Sequence, residues 1–383
     1  MDSWIKITLI VILIIIVIFI VTLALLNVKR SIKKVGHQGP NLKDVFGEKG
    51  IKLEELIQVQ ELYKADNLDY FRTYNPCAFK LKTKGRKRKD DRKDLYIVYR
   101  MSNFTMCEGG KSIPWTPLDM SNIESHTFIQ SPSGEMFKIV HPELSHGTCI
   151  RGCEDARTIL HKDKLWVTCN AASGDGCKKE MTLMEIPLDG LKKGSTKQIF
   201  KDSSIMVKEI YPDRITKLTI DFDKNRDQKN WMPFVMNDNI HFVYSLNPHI
   251  ILRCNEDGSC IKVSETQNNL NKNLRGGSQI VKVKFEKERL YVGVVHLREE
   301  HSEYMTYFYA FESVYPYKIK YITESFVISK KDWKKRVQFA SGLEKVYEDN
   351  IPYFYILYGE DDCNAKLCKL PIKSVLKSFK LIE

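Results

Sequence analysis

Several signatures that would assign a function at once are missing from this chain of 383 residues. It has no pair of Cys-x-x-Cys motifs, so we predict no zinc site. Gly276-Gly277 lacks the Gly-Lys-Ser/Thr that completes a phosphate-binding loop. The net charge of +12 comes without zinc-finger spacing or a basic surface interleaved with aromatic residues. We therefore expect no nucleic-acid partner, no metal ion and no cofactor.

Much of the excess positive charge lies in one tract, Lys80–Lys93, which contains Gly85-Arg86-Lys87-Arg88-Lys89. Such a run is also typical of nuclear-localisation segments. Here it interrupts two strand-like runs and is broken by Asp90 and Asp91. These features favour a solvated loop.

One long apolar run occurs near the N-terminus, at Ile7–Leu26, and it carries no charge. As a helix it would span about 30 Å, the thickness of a bilayer core. Neither a short apolar region nor a small-residue cleavage site, the marks of a signal peptide, is present. Residues 1–30 are therefore predicted to form an uncleaved transmembrane anchor.

The orientation of this anchor is predicted differently by two observations. Basic residues at Lys29, Arg30 and Lys33–Lys34 follow the run, which favours a cytoplasmic C-terminal part. All ten cysteines lie after the run, at spacings that suit disulfides in an oxidising lumen. Four short-range pairs are expected: Cys149/Cys153, Cys169/Cys177, Cys254/Cys260 and Cys363/Cys368. Asn103-Phe104-Thr105 is a glycosylation sequon. We expect a lumenal or extracellular domain.

Residues 31–73 are predicted to form a stem with one short amphipathic helix. The helix is expected within Ile51–Lys64, where apolar residues stand at Leu53, Leu56, Ile57 and Val59. From Tyr74 onward the pattern changes to short strands rich in Val, Ile, Tyr and Phe.

A unit made of a polar motif, an apolar strand, a turn and an aromatic strand recurs five times in residues 74–383. Its polar motifs are Asn75-Pro76-Cys77, Glu154-Asp155-Ala156-Arg157, Lys229-Asn230-Trp231, Arg275-Gly276-Gly277-Ser278 and Phe339-Ala340-Ser341-Gly342. Five copies, each with further strand-like segments, predict an all-β, five-bladed β-propeller in which the motifs meet at one central cavity. A two-sheet sandwich is the alternative, but it gives no reason for the motifs to recur at strand entrances.

On these motifs the chain resembles the five-bladed propeller carbohydrate-active enzymes. The likeness is to glycoside hydrolase family 130, the mannoside phosphorylases and hydrolases, and to related mannosyltransferases. It covers roughly Tyr74 to the C-terminus and also includes Tyr99-Arg100, His296 and Tyr358-Gly359-x-x-Asp362.

The resemblance implies an inverting reaction at a glycosidic bond, with Asp155 as the proton donor. It implies that the sugar is held by Asn75, Arg100, Lys229 and Asp362, and that Arg157 and His296 lie near the phosphate or acceptor. Two departures stand out. Ala156 replaces the family's Pro, and Cys77 follows Asn75-Pro76 where the family has Ser.

The residues themselves leave other interpretations open. Asp155 and Arg157 also fit a structural pair that closes a turn, and Trp231 fits either a sugar-stacking platform or the core of a blade. His296 fits a hydrogen-bonded structural histidine as well as a substrate contact. We expect a membrane-anchored enzyme whose partner is a glycan or a sugar donor. A non-catalytic glycan-binding protein or a structural envelope or surface protein is the alternative.

Overall fold

The computed structural model describes residue 53 and the ranges 56–62, 71–81, 90–104, 123–141, 151–173, 178–193, 196–198, 206–298, 304–329 and 337–382. The predicted anchor at Ile7–Leu26 and most of the basic tract lie outside these ranges. Within them, no helix has the length and apolar character that a membrane crossing needs.

The described chain forms five mainly antiparallel groups of strands, which we call blades I to V. Blade I contains β2 (Arg72–Lys80), β3 (Leu95–Ser102), β4 (Glu124–Gln130) and β5 (Met136–Ile139), extended by β9 (Thr196–Gln198) and β10 (Met206–Ile210). Blade II contains β6 (Arg151–His161), β7 (Lys164–Ser173), β8 (Lys178–Ile186) and β11 (Arg214–Lys217). A short parallel pairing between β4 and β6 joins these two blades into one continuous sheet.

The other three blades are separate sheets. Blade III contains β12 (Met232–Met236), β13 (Asn239–Leu246), β14 (His249–Cys254) and β15 (Cys260–Thr266). Blade IV contains β16 (Leu274–Gly276), β17 (Val281–Phe285), β18 (Glu288–Arg298), β19 (Tyr304–Glu312), β20 (Ile319–Ile322) and β24 (Lys380–Leu381). Blade V contains β21 (Gln338–Glu348), β22 (Ile351–Glu360), β23 (Asn364–Pro371) and β1 (Gln58–Glu61). In the described ranges, two short α-helices, α1 (Gly190–Lys193) and α2 (Ile372–Lys377), and a 3₁₀ turn at Arg92–Asp94 lie outside the sheets.

The core is divided into five apolar clusters, and each cluster lies between two neighbouring blades. Representative pairs, in the order I/II, II/III, III/IV, IV/V and V/I, are Phe137 with Val167, Leu183 with Phe242, Phe234 with Tyr291, Phe308 with Phe354, and Tyr99 with Leu357. Because every blade packs on two others, the blades close into a ring. The described chain is thus a five-bladed β-propeller, and the sandwich alternative is wrong.

The innermost strands run in the same direction around a central channel. Bonds between blades fix their relative heights: Ser341 Oγ donates to the Pro76 carbonyl oxygen at 2.8 Å, and Thr158 Oγ1 donates to the Ala78 carbonyl oxygen at 2.8 Å. The Ile280 amide nitrogen donates to the Pro233 carbonyl oxygen at 3.0 Å. We call the end where these strands begin the upper mouth, and the end where they finish the lower mouth.

The ring is closed by a strand from the N-terminal side. Strand β1 pairs antiparallel with β23, with Gln58 opposite Lys369 and Glu61 opposite Lys366. The predicted helix at Ile51–Lys64 is therefore wrong at Gln58–Glu61, and these residues belong to the propeller rather than to a stem. Every residue of β1 is exposed, so the strand is held by backbone pairing rather than by burial.

Two disulfides each join two described cysteines, and only one of these two was predicted. Cys254–Cys260 links the ends of β14 and β15, as expected. Cys153 pairs with Cys169, with a Cα–Cα distance of 5.7 Å, because β6 and β7 are adjacent strands of one hairpin. This overturns the expected pairs Cys149/Cys153 and Cys169/Cys177. The pair Cys363/Cys368 is also wrong, since Cys368 is a free, buried thiol.

We expect the packing between blades IV and V to make a large contribution to the free energy of unfolding. Phe308 is fully buried, and its ring centre lies 5.6 Å from that of Phe326 and 5.4 Å from that of Phe354. Phe308→Ala should lower the free energy of unfolding by about 3–5 kcal/mol, measured by denaturant titration. The control, Tyr315→Ala, changes a side chain that is 74% exposed and should shift it by no more than about 0.5 kcal/mol. If Phe308→Ala and Tyr315→Ala lowered the free energy of unfolding equally, the expected contribution of this packing would be wrong.

Candidate active site

The polar motifs begin with an unusual backbone conformation that recurs from blade to blade. Asn75, Asp155 and Asn230 have positive φ angles of 45°, 53° and 62°. Asn and Asp are the non-glycine residues that tolerate this region best. In β2 and β6 the same positions are β-bulges, which redirect side chains out of the regular alternation. The recurrence explains why these side chains converge at the upper mouth.

The side-chain amide of Asn75 joins two carboxylates from distant parts of the chain. Asn75 Nδ2 donates to Asp155 Oδ1 at 2.8 Å and to Asp362 Oδ1 at 3.3 Å. Gly359 leaves the room that this amide needs, because a Cβ atom at that position would lie 1.9 Å from Asn75 Oδ1. Three sequence-predicted residues are thus in direct contact.

Arg100 supplies the positive charge beside these carboxylates. Its NH1 donates to Asp155 Oδ1 at 3.1 Å, and its NH2 donates to Glu154 Oε1 at 2.6 Å. Its Nε donates to Ser125 Oγ at 2.9 Å, so the guanidinium is held on three sides. The Arg100 side chain is buried, and its charge also lies 4.9 Å above the centre of the Tyr74 ring. Arg100 therefore positions Asp155 rigidly.

Glu154 contacts the same guanidinium as Asp155 and pairs with a second cation. Besides its bond to Arg100, it accepts a hydrogen bond from Lys179 Nζ on β8. The side chain of Glu154 is 11% exposed and that of Lys179 is 18% exposed. Glu154 therefore supports Arg100 and is itself fully paired.

The two carboxylates joined by Asn75 have opposite proton affinities. Burial opposes ionisation of Asp155, but Arg100 and the Asn75 amide outweigh it and hold the pKa of Asp155 below its ordinary value. Burial raises the pKa of Asp362 to about 6; Arg100 opposes this rise and the charge of Asp155 reinforces it. The hydrogen bonds agree, since Asp155 accepts two charge-stabilising bonds where Asp362 accepts one longer bond. The pair therefore holds one proton below about pH 6.

Arg157 connects neighbouring blades, because its guanidinium is engaged in hydrogen bonds and is not a free cation. Its NH1 donates to the Asp155 carbonyl oxygen at 2.8 Å, and its Nε donates to the Gly277 carbonyl oxygen at 2.5 Å. Its NH2 lies 3.4 Å from Asn230 Oδ1. The side chain is fully buried. These bonds tie the motifs of blades II, III and IV together below the carboxylates.

His296 borders the same mouth from blade IV and is buried with Tyr304. Their rings stack with centres 5.2 Å apart, and Phe339 meets His296 edge-on at 5.1 Å. Burial lowers the pKa of His296 to about 3, so the imidazole is neutral. Its Nδ1 has no hydrogen-bond partner within the described part of the chain.

Tyr304 is a site residue that the sequence did not single out. Burial raises its pKa, and the charges of Asp362 and Asp155 contribute to that rise, which places the hydroxyl within their field. In sequence it is one of three tyrosines of β19, with Tyr307 and Tyr309, and nothing there separates it from a packing residue.

Lys229 and Trp231 line a separate cleft, whose wall includes neither Asp155 nor Asp362. This cleft of about 500 Å³ is lined by Lys229, Arg226 and Arg275, among others. Trp231 also borders it but is 1% exposed, with Phe242 and Tyr244 edge-on at 5.7 and 5.5 Å. This burial fits the interpretation of Trp231 as blade core. The structure thus brings Asn75, Arg100, Asp155 and Asp362 together, whereas Lys229 lines a different cleft.

Comparison with known proteins gives partial sequence similarity to one group of enzymes. No family model matches the chain. It is 29% identical over 183 residues to β-mannosyltransferase 3 of Candida albicans, which covers 45% of this chain and 28% of that protein. It is 30% identical over 145 residues to β-mannosyltransferase 2 of Komagataella phaffii, covering 35% and 19%. The chain thus spans less than a third of the length of these curated relatives. They confirm the predicted resemblance to mannosyltransferases.

Solved structures that resemble the chain include β-1,2-mannobiose phosphorylase from Listeria innocua, with a TM-score of 0.48 and 13% identity over 82% of this chain and 94% of that chain. Another is MPT-4, a mannose phosphorylase from Leishmania mexicana, with a TM-score of 0.42 and 10% identity over 82% and 88%.

The raised pKa of Asp362 gives a stability effect of defined sign. Its folded-state pKa of about 6 exceeds the ordinary value of 3.8, so the folded protein binds more protons between these values. Ionisation of Asp362 should therefore lower the free energy of unfolding as the pH rises from about 4 to about 6. Asp362→Asn should remove this loss. The free energy of unfolding of the variant, measured by urea titration, should rise by about 2–3 kcal/mol relative to that of the wild type as the pH goes from 4 to 7.

The matched control is Asp349→Asn, at an exposed side chain in the turn between β21 and β22. Its stability difference from the wild type should not vary with pH. An Asp362→Asn difference that is equally flat from pH 4 to pH 7 would contradict the assignment of the proton to Asp362.

Proposed function

We propose that this chain is a carbohydrate-active enzyme that transfers or cleaves a mannoside-like glycosidic bond with inversion. The single observation that carries the proposal is the pair Asp155 and Asp362, joined by Asn75 and separated in proton affinity by Arg100. Carboxylates whose environments push their pKa values apart are the usual acid–base equipment of glycosyl transfer. The partial similarity to β-mannosyltransferases supports the sugar.

Asp155 is the proposed catalytic carboxylate. In the resting protein it is ionised, which suits removal of the proton from an attacking acceptor hydroxyl. The new bond then forms between the acceptor oxygen and the anomeric carbon while the bond to the leaving group breaks, and the acceptor's proton ends on Asp155. Asn75 and Arg100 keep both carboxylates in place for the sugar.

The cleft that Lys229 lines favours a donor with an anionic leaving group. Arg226, Lys229 and Arg275 line it together with one carboxylate, Asp227, and Lys272 borders a smaller pocket together with Lys229 and Arg275. Arg and Lys side chains bind phosphate through charge-assisted hydrogen bonds. A phosphate that leaves as an anion requires no proton, which agrees with an ionised Asp155. We therefore favour transfer from a phosphate-activated sugar over hydrolysis.

We further propose that the enzyme is anchored in a membrane by Ile7–Leu26, with the propeller on the lumenal or extracellular side. Support for the compartment comes from the disulfides Cys153–Cys169 and Cys254–Cys260, since such bonds persist in oxidising surroundings.

Asp155→Asn should lower kcat by about a thousandfold or more, because the isosteric amide cannot exchange a proton. The assay uses mannosides, mannose 1-phosphate and nucleotide-activated mannose with mannobiose as acceptor. Asp238→Asn serves as the control for fold and should retain full activity. Absence of turnover in the wild type, together with retained glycan binding, would sink the enzyme proposal in favour of a glycan-binding protein.

Lys229→Met and Arg275→Met should each raise KM for a phosphorylated donor about tenfold, the loss of one charge-assisted hydrogen bond. KM for the neutral acceptor should stay unchanged. Lys224→Met, an exposed lysine of the segment that precedes β12, is the charge-matched control. Equal changes for donor and acceptor would show that the cleft does not recognise phosphate.

A further inference from the structure

We infer that the lower end of the propeller, which carries the lower mouth, docks on an anionic membrane surface through blades I, IV and V. The exposed apolar side chains are concentrated at this end. Eight large apolar side chains are exposed in the described ranges. Five of them lie at or beside turns of the lower end: Leu56, Ile261, Val314, Tyr315 and Ile351. None of these residues belongs to the proposed active site, so the inference does not rest on the catalytic proposal.

Two turns of blades IV and V carry the most exposed of these side chains. Val314 and Tyr315, in the turn between β19 and β20, are 65% and 74% exposed. Ile351, the first residue of β22, is 52% exposed. Tyrosine, with its apolar ring and polar hydroxyl, is enriched at membrane–water interfaces. The two turns therefore offer apolar side chains suited to a headgroup layer.

Exposed lysines lie on the same turns and on the strand beside them. Lys282, Lys284 and Lys287 stand on β17 and in the turn after it, and Lys318 lies in the turn that holds Tyr315. Lys282 also lines the cavity of about 440 Å³ at the lower mouth, together with Lys345. The ammonium groups of this end thus lie close to the exposed apolar side chains in sequence and in the fold.

The basic tract adds positive charge at the same end. Residues 82–89, which lie outside the described ranges, carry six basic residues and no acidic one. The flanks of this segment are held at the lower end. The Leu81 amide nitrogen donates to the Asp94 carbonyl oxygen at 3.0 Å, and the Asp91 amide nitrogen donates to the Tyr347 carbonyl oxygen at 2.8 Å.

The carboxylates of the lower end limit the proposed surface to blades I, IV and V. Blade III carries acidic turns there, with Asp238, Glu256 and Asp257. In blades I, IV and V, six carboxylates each lie within 3.5 Å of a Lys or Arg nitrogen: Asp90, Asp91, Glu135, Glu288, Glu344 and Glu348. The exposed lysines and the basic tract outnumber the four others: Asp94, Glu286, Glu312 and Asp349.

The chain also enters the propeller at its lower end. Strand β1 begins at Gln58, opposite Lys369 near the lower end of β23. A turn directly precedes it, in which the Leu56 amide nitrogen donates to the Leu53 carbonyl oxygen at 3.0 Å. The segment that contains Ile7–Leu26 precedes this turn, so it joins the propeller at the lower end. Such a tether raises the effective concentration of a membrane near the lysines.

A bilayer with anionic headgroups matches both features of this surface. Each lysine near such a surface strengthens binding about fivefold, and apolar side chains gain free energy by entering the headgroup layer. A soluble acidic polymer would bind the lysines but would leave Val314, Tyr315 and Ile351 in water. The exposed apolar side chains therefore favour a membrane over a polymer.

The test is hydrogen–deuterium exchange of the full chain in nanodiscs of phosphatidylcholine, alone or mixed with phosphatidylserine. Amides of residues 313–318 and 349–351 should exchange about tenfold more slowly in the anionic nanodiscs than in the neutral ones. Exchange around Tyr211, an exposed tyrosine after β10 at the upper end, should be equal in both. High salt should remove the difference, because it screens exposed charges.

Two pairs of matched variants test the charge and the apolar contact. Lys282→Ala should reduce the slowing about fivefold, whereas Lys224→Ala, at an exposed lysine before β12, should not change it. Tyr315→Ala should also reduce the slowing, and Tyr211→Ala should leave it intact. All four side chains are exposed, so these variants should fold normally.

Equal exchange in the two kinds of nanodisc, or a slowing that Lys282→Ala does not reduce, would overturn the inference. So would an equal slowing by soluble heparin in neutral nanodiscs, which would assign the surface to an acidic polymer. Retention of the chain on neutral nanodiscs without the slowing on anionic ones would confirm the anchor and overturn the docking. Asp155→Asn should keep the slowing, so its loss of turnover concerns the proposed function alone.

Discussion

The buried guanidinium of Arg100 is the interaction on which the upper mouth depends. Ring closure brings Glu154, Asp155 and Asp362 together, and such a concentration of carboxylates could not be buried without a cation. Arg100 binds the first two directly, and Asn75 links the third. Because the compensation is uneven, Asp155 is ionised, whereas Asp362 keeps its proton up to about pH 6. The same arrangement that makes the burial tolerable thereby creates the chemical difference that glycosyl transfer requires.

Much of this site could be predicted from the sequence, because similar polar motifs recur at the start of the innermost strands of successive blades. Asn75, Asp155 and Asn230 stand at matching points of successive units, and the structure shows one backbone conformation at all three. Asp362 and Arg100 were identified from a family pattern, and they too reach the mouth. Lys229 was identified from the same family pattern, yet it lies ahead of the first residue of β12 and lines a different cleft.

The errors also have physical causes. Leu53, Leu56 and Ile57 have helical spacing, but Gln58–Glu61 is an exposed edge strand whose structure comes from pairing with β23, a partner more than 300 residues away in sequence. Cys153 and Cys169 pair across a hairpin, and only the strand register, not the sequence spacing, distinguishes that bond from Cys149/Cys153. Tyr304 belongs to the site through its contact with His296, which no local pattern records.

The closure of the ring by β1 has a consequence for biosynthesis. Gln58–Glu61 leaves the ribosome among the first parts of the propeller, whereas its partner β23 at Asn364–Pro371 is made almost last. Until β23 has been synthesised, the edge of β1 has no partner strand. Blades I and V likewise cannot yet form the apolar cluster that they share. The nascent propeller is consequently an open arc that exposes apolar surface at both ends, the kind of species that chaperones retain until the chain is complete.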